Sequence, residues 1–231
     1  MVNWPDWQSR LRGYTLNTSV ATSNNEKPNR MERRRLETRS KLLAATLKLV
    51  IKKGIEKTTL DDITEAADLG RRTFYYHFSG KDECIQAAAA AVYQRHGEEM
   101  DLAGKSRDSA FIVALSVQRV LAGVIREPVT PVLMERPRLL GHAVIEALGV
   151  FFHRDIRLGI QSGTFDPPIN QAKLDSLVKW TLVGVILEAS EDDSELADDL
   201  KDYSQTFLMI LGVPAKQAKA AAAKARKTLP H

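Results

Sequence analysis

The chain has 231 residues, of which 44% are hydrophobic and 6% aromatic, enough apolar material for a buried core and a composition that favours helices. The formal net charge of +4 admits a nucleic-acid partner. A single cysteine, Cys84, excludes a disulfide framework within the chain, and no run approaches the roughly 20 apolar residues of a membrane span.

Residues 1–34 show no apolar periodicity, and the polar stretch Asn17–Asn25 reads as a disordered extension. Trp4 and Trp7 have no apolar run behind them, so no signal peptide is expected, and the reading is a soluble, cytoplasmic protein. Positive charge then concentrates. Between Glu26 and Lys81 stand 14 basic and 8 acidic residues, a net of +6 that exceeds the charge of the whole chain.

From Arg35 to Gly54, Leu36, Leu43, Leu47 and Val50 fall on one helical face, widened by Leu42, Leu49 and Ile51. Gly54 is placed to end this helix, and Lys48, Lys52 and Lys53 suit its negative dipole end. Thr59 is a natural N-cap for a second helix with Asp61 and Asp62 in its first turn. Asp68-Leu69-Gly70 makes the next turn, with Asp68 able to adopt a left-handed conformation. A third helix covers 71–78. Phe74 and Phe78, four apart, face inward, which turns Arg72 and Tyr76 outward, with Thr73 and Tyr75 at their flanks. Two arginines, a threonine and two tyrosines on a short helix suit a DNA major groove: arginine pairs with guanine O6 and N7, and threonine or tyrosine meets a thymine methyl or a phosphate.

These residues, Thr58 to Ile63, Leu69 to Phe78 and then Lys81-Asp82-Glu83, resemble the DNA-binding domain of the TetR family of bacterial regulators over residues 35–84. The resemblance implies an all-α chain: an N-terminal three-helix helix-turn-helix domain (35–84, motif 59–78) followed by a larger helical effector-binding and dimerisation domain (85–213). It implies base reading by Arg71, Arg72 and Thr73. Tyr75 and Tyr76 match positions that touch base methyls, sugar or phosphate, and Thr59, His77 and Lys81 match phosphate contacts. Asp68 stands where the family usually has glycine. Gly70 stands where a polar residue is common, which removes one N-cap contact.

Beyond the motif, longer helices are expected at 81–100, 107–126, 138–162, 171–190 and 194–211, broken at Gly104, Pro128–Pro137, Gly163–Pro168 and Glu191–Ser194. Cys84 reads as a small buried residue rather than a redox thiol. A homodimer is expected through the last two long helices, with Leu174, Leu177, Val178, Thr181, Val185 and Leu187 around Trp180 and Gly184 on one and Phe207, Leu208 and Leu211 on the other. The alternative is that these stripes are monomer core. By family analogy the middle helices enclose a small-molecule effector, apolar or aromatic, with Tyr93, Phe111, Leu115, Met134, Phe151, Phe152 and Trp180 as candidate lining. The alternative for each is simple core packing. Residues 214–231, rich in alanine and lysine, read as a solvated basic tail.

His142 and Glu146 stand four apart but lack a third metal ligand, and the acidic run from Glu188 to Asp202 has no calcium-loop spacing. No catalytic motif, metal or cofactor is expected. The reading is a sequence-specific transcriptional regulator, a repressor on a palindromic double-stranded operator released by its effector. Its rivals are a helical carboxylate-bridged metal enzyme, for which paired Glu-x-x-His motifs are missing, and an architectural DNA binder, whose basic residues would spread over the fold.

Overall fold

Helix α1 spans Arg30–Lys57 and begins five residues ahead of the expected start. The cause is a capping box: the Asn29 side chain accepts from the Met31 and Glu32 amides at 2.9 and 3.0 Å, and the Asn29 amide donates back to Glu32 Oε2 at 3.0 Å. The computed structural model describes residues 29–103, 108–189 and 193–229, so the N-terminal extension with Trp4 and Trp7 lies outside the described residues, save for its last residues. Leu42, Leu43, Leu47 and Val50 are buried on the inner face of α1. Gly54, at φ +81°, breaks the helical path there. A last turn follows in a new direction, burying Ile55, and Thr58 Oγ1 closes it by donating to the Gly54 carbonyl at 2.7 Å.

Helix α2 (Leu60–Ala66) starts at Thr59, whose hydroxyl accepts from the Asp62 amide at 3.2 Å while Asp62 accepts from the Thr59 amide at 2.7 Å. Asp68 takes the left-handed turn conformation, φ +54°. Helix α3 (Arg71–His77) follows, with Gly70 at its N-cap and no side-chain cap bond, as the loss of a polar residue there implies.

Helix α4 (Lys81–Ala103) is the beam of the molecule. It packs on α1 at one end and, further along, on α5 (Ser109–Ile125) and α7 (Pro137–Gln161). The buried run Ala87–Ala90 presents no long side chains, so neighbouring helices approach closely. A short helix, α6 (Thr130–Met134), occupies the stretch expected to be a break. It is held under the end of α5 by Thr130 Oγ1, which donates to the Val124 carbonyl at 2.5 Å. Helices α8 (Gln171–Glu188), α9 (Asp193–Ile210) and α10 (Ala215–Thr228) complete the ten helices among the described residues, which contain no strand.

The expected basic tail is a docked helix. Ala218, Ala221, Ala222 and Ala225 of α10 are all buried against α5 and α9. Their spacing of 0, 3, 4 and 7 is an apolar stripe made only of methyl groups, which is why it reads as no stripe. Buried Gln118 ties α5 to both partners, donating to Ser204 Oγ at 2.8 Å and to the Ala222 carbonyl at 3.0 Å.

The two expected dimer helices are also largely interior. Leu174, Val178 and Val185 of α8 and Phe207 and Leu208 of α9, with Leu211 just beyond it, are buried in the monomer. What remains outside is Val150, Leu158 and Ile160 on α7, Leu177 and Trp180 of the expected set on α8, and Met209 on α9. A 3.1 Å contact between His153 Nε2 and Asp175 Oδ1 at one level and Gly141 beside Val183 at another set α7 and α8 antiparallel. Val150 and Leu177 therefore lie at similar height on adjoining helices.

Candidate nucleic-acid interface

Helix α3 is fixed from behind. Phe74 and Phe78 are buried in the junction of α1, α2 and α4, their ring centroids 5.7 Å apart. Truncating either ring in such a core costs about 3–5 kcal/mol, so the register of the helix is firmly set. That register turns Arg72, Tyr75 and Tyr76 outward. The two tyrosines are 59% and 71% exposed, a large aromatic surface left in water that a partner would cover. Thr73 is half-buried beside them.

The cations around α3 are already partly engaged. Arg71 clasps Asp61 of α2, with Nε donating to Oδ1 at 2.6 Å and Nη2 to Oδ2. This pairing raises the guanidinium pKa further, and it makes Arg71 exchange a carboxylate for any base it reads. Asp62 is held far below the ordinary carboxylate range by Lys53 at 2.7 Å and by the two bonds from Thr59. The Thr59 hydroxyl is thus occupied within its own capping box. Lys81 donates from Nζ to the Ile55 carbonyl at 2.9 Å, clamping the start of α4 to the last turn of α1. An ammonium has three donors, so this clamp and a phosphate contact are compatible. Glu83 caps the turn before α4, accepting from the Ser79 amide and hydroxyl at 2.6 and 2.7 Å.

His77 is half-buried, and its pKa lies below the usual 6.5, first through burial and then through the positive charge of Arg39 and Arg35. Arg39 itself stacks 4.9 Å from the centroid of Phe78. Arg34 and Arg35 on α1, Arg72 and Tyr76 on α3, and His77 line one groove of about 630 Å³. Of the eight expected contact residues, Arg72, Thr73, Tyr76 and His77 share this groove. Reading along the sequence did not single out Arg34, Arg35 or Asp61; the only signal for the arginines was the local excess of positive charge, and the Arg71–Asp61 pair bridges ten residues.

The seven residues named for an effector differ in their surroundings. Tyr93 is fully buried, and its hydroxyl bonds to Thr130 Oγ1 at 2.8 Å. Leu115 and Phe152 are buried, the latter 6.4 Å from Phe207. Phe151 packs over Gly97, where a Cβ would stand 2.6 Å from its ring. Met134 packs half-buried on the core, and Phe111 lies beneath Lys224 Nζ at 4.4 Å. Trp180 is partly exposed, with Lys179 Nζ 4.7 Å from its ring centroid. A polar node lies next to Tyr93. His96 Nε2 and Glu127 Oε1 are 2.8 Å apart, and Arg95 Nη2 approaches the same oxygen at 3.5 Å. Glu127 is 31 residues from His96, so no local motif marked the node. Of the metal pair considered, Glu146 instead accepts from Gln86 Nε2 at 2.8 Å, and no three metal-ligating side chains gather among the described residues. Cys84 is buried at 3.1 Å from Thr46 Oγ1, and burial pushes its thiol pKa up to about 11.

Comparison with known proteins agrees with this geometry. The model of bacterial regulatory proteins of the tetR family matches residues 42–97. Among curated proteins the chain is 35% identical over 72 residues to the HTH-type transcriptional regulator TtgR of Pseudomonas putida, a match covering 31% of this chain and 34% of that protein. The match therefore spans about a third of that relative's length. A longer alignment, 24% identical over 189 residues, covers 78% of this chain and 88% of the HTH-type transcriptional regulator SrpR of Pseudomonas putida. Among solved structures, RolR in complex with resorcinol shares the fold, with a TM-score of 0.70 at 22% identity over 86% of this chain and 98% of that one. Ligand-free RolR gives 0.64, also at 22% identity, over 80% and 96%. With helix α3 placed as described and an all-helical fold behind it, residues 42–97 of the chain match the DNA-binding domain of the tetR family of bacterial regulatory proteins.

Proposed function

We propose that the chain is a sequence-specific DNA-binding transcriptional regulator, a repressor that leaves a palindromic operator when a small molecule binds. The observation that supports this most is the outward face of α3: Arg72, Tyr75 and Tyr76 exposed on a helix whose back is anchored by Phe74 and Phe78. In this reading Arg72 and Thr73 read bases in the major groove, and Arg71 joins them once it leaves Asp61. Tyr75 and Tyr76 meet base methyls, sugar or phosphate, and Thr59, His77 and Lys81 hold the backbone.

Two such helices on a palindrome require a dimer. The exposed apolar residues favour an interface of α7 and α8, with Val150, Leu177 and Trp180 at its centre and Gly184, open on its outer side, allowing close approach. This replaces α9 by α7 in the expected pairing. The domain from residue 85 onward, including the docked α10, serves effector binding and dimerisation, while residues 35–84 bind DNA. The effector is apolar or aromatic, in keeping with Tyr93, Leu115, Phe151 and Phe152, and resorcinol, the ligand of RolR, is an aromatic of that kind. Regulation rather than catalysis is the role assigned.

Selection of bound sequences from a random DNA pool with the full-length protein tests this. A palindromic consensus is the expected result. Failure to enrich any sequence, with the protein shown to be folded, would overturn it.

A further inference from the structure

The first two turns of α1 project beyond the hydrophobic core: every residue from Arg30 to Arg35 is exposed. The segment Arg30–Arg39 holds five arginines against Glu32 and Glu37. Glu32 is committed to the Asn29 capping box and Arg39 to the face of Phe78. Met31, Arg34, Arg35 and Thr38, at spacings of 0, 3, 4 and 7, form one stripe, and that stripe faces Arg72, Thr73, Tyr76 and His77 across the 630 Å³ groove. Among the described residues neither Arg34 nor Arg35 has an ion-pair partner. Adjacent guanidiniums gain nothing from each other, so this arrangement stabilises no part of the fold. It suits a polyanion, and it continues the surface assigned to DNA without a break.

We propose that this groove seats the sugar–phosphate strand just outside the base pairs read by α3, with Arg34 and Arg35 neutralising two of its phosphates and Tyr76 packing against the sugar. The proposal rests on the DNA-binding reading and extends its footprint beyond the helix-turn-helix. Phosphate contacts of this kind carry affinity and position rather than sequence preference.

The test uses the full chain and an operator selected from a random pool. Binding is measured over a salt series, with hydroxyl-radical footprints. Arg34→Gln/Arg35→Gln is expected to lower the slope of log affinity against log salt by about 3.6, two phosphate contacts being lost in each half-site of the dimer's operator, to lose protection of the outermost phosphates, and to keep the wild-type consensus. Arg34→Lys/Arg35→Lys should keep the slope. Arg33→Gln, on the same turns but off the groove, should lower it by less than half as much and controls for charge and helix stability. An unchanged slope and footprint in the glutamine variant, with the operator still bound, overturns this proposal alone. An altered consensus also overturns it, since the arginines would then be reading bases. Failure to select any operator overturns the DNA-binding reading and this proposal with it.

Discussion

His77 carries a pH dependence whose sign follows from its surroundings. Burial, Arg39 and Arg35 keep its pKa below 6.5 in the free protein. A phosphate placed against the ring favours the imidazolium, so binding takes up a proton. Operator affinity should therefore rise as pH falls from about 7.5 to about 5.5, and His77→Gln should flatten that rise in an anisotropy titration. The stability sign is opposite. The unfolded imidazole binds protons more readily than the folded one, so the contribution of His77 to stability is present above pH 6.5 and is lost as pH falls through its depressed folded value. An affinity that is flat across this range would remove His77 from the phosphate contacts.

The elements differ in how much of them the sequence made legible. Helices α2 and α3 were readable almost to the residue, because each carries local signals: the Thr59 cap, Asp68 in the turn, and Phe74 and Phe78 one helical turn apart. The outward direction of Arg72 and Tyr76 followed from that spacing alone. The Arg71–Asp61 clasp, the groove between α1 and α3 and the His96–Glu127 node were not legible, since each joins residues whose proximity depends on how helices pack. The C-terminal helix α10 was misread for another reason: an alanine face has a weak hydrophobic signal, although methyl groups pack as closely as any. Its docking makes a strong prediction. Ala222→Glu places a carboxylate in the buried seam beside Gln118 and should destabilise the fold by roughly 2 kcal/mol or more, read as a fall in denaturation midpoint. Ala220→Glu, on the exposed face of the same helix, should change it by less than about 0.5 kcal/mol. Equal effects would mean that α10 is not packed in solution.

For the molecule as a whole, the monomer accounts for its own core and leaves a defined surplus. The apolar residues expected to mediate pairing on α9 are spent inside, whereas Val150, Leu177 and Trp180 remain on the adjoining faces of α7 and α8. A charge at that centre should separate the protomers. Leu177→Glu/Trp180→Glu is expected to sediment as a monomer, keep its helical spectrum, and bind the operator at least 100-fold more weakly, since each reading helix would then bind alone. A variant that remains dimeric would move the interface elsewhere.

Base reading by the outward face of α3 is tested by parallel selections with the wild-type chain and Arg72→Ala. The same palindrome is expected for both, with preference relaxed for Arg72→Ala at one position in each half-site and a loss of about 1–3 kcal/mol on the wild-type operator. An identical consensus for both proteins, preference intact at every position, would contradict it.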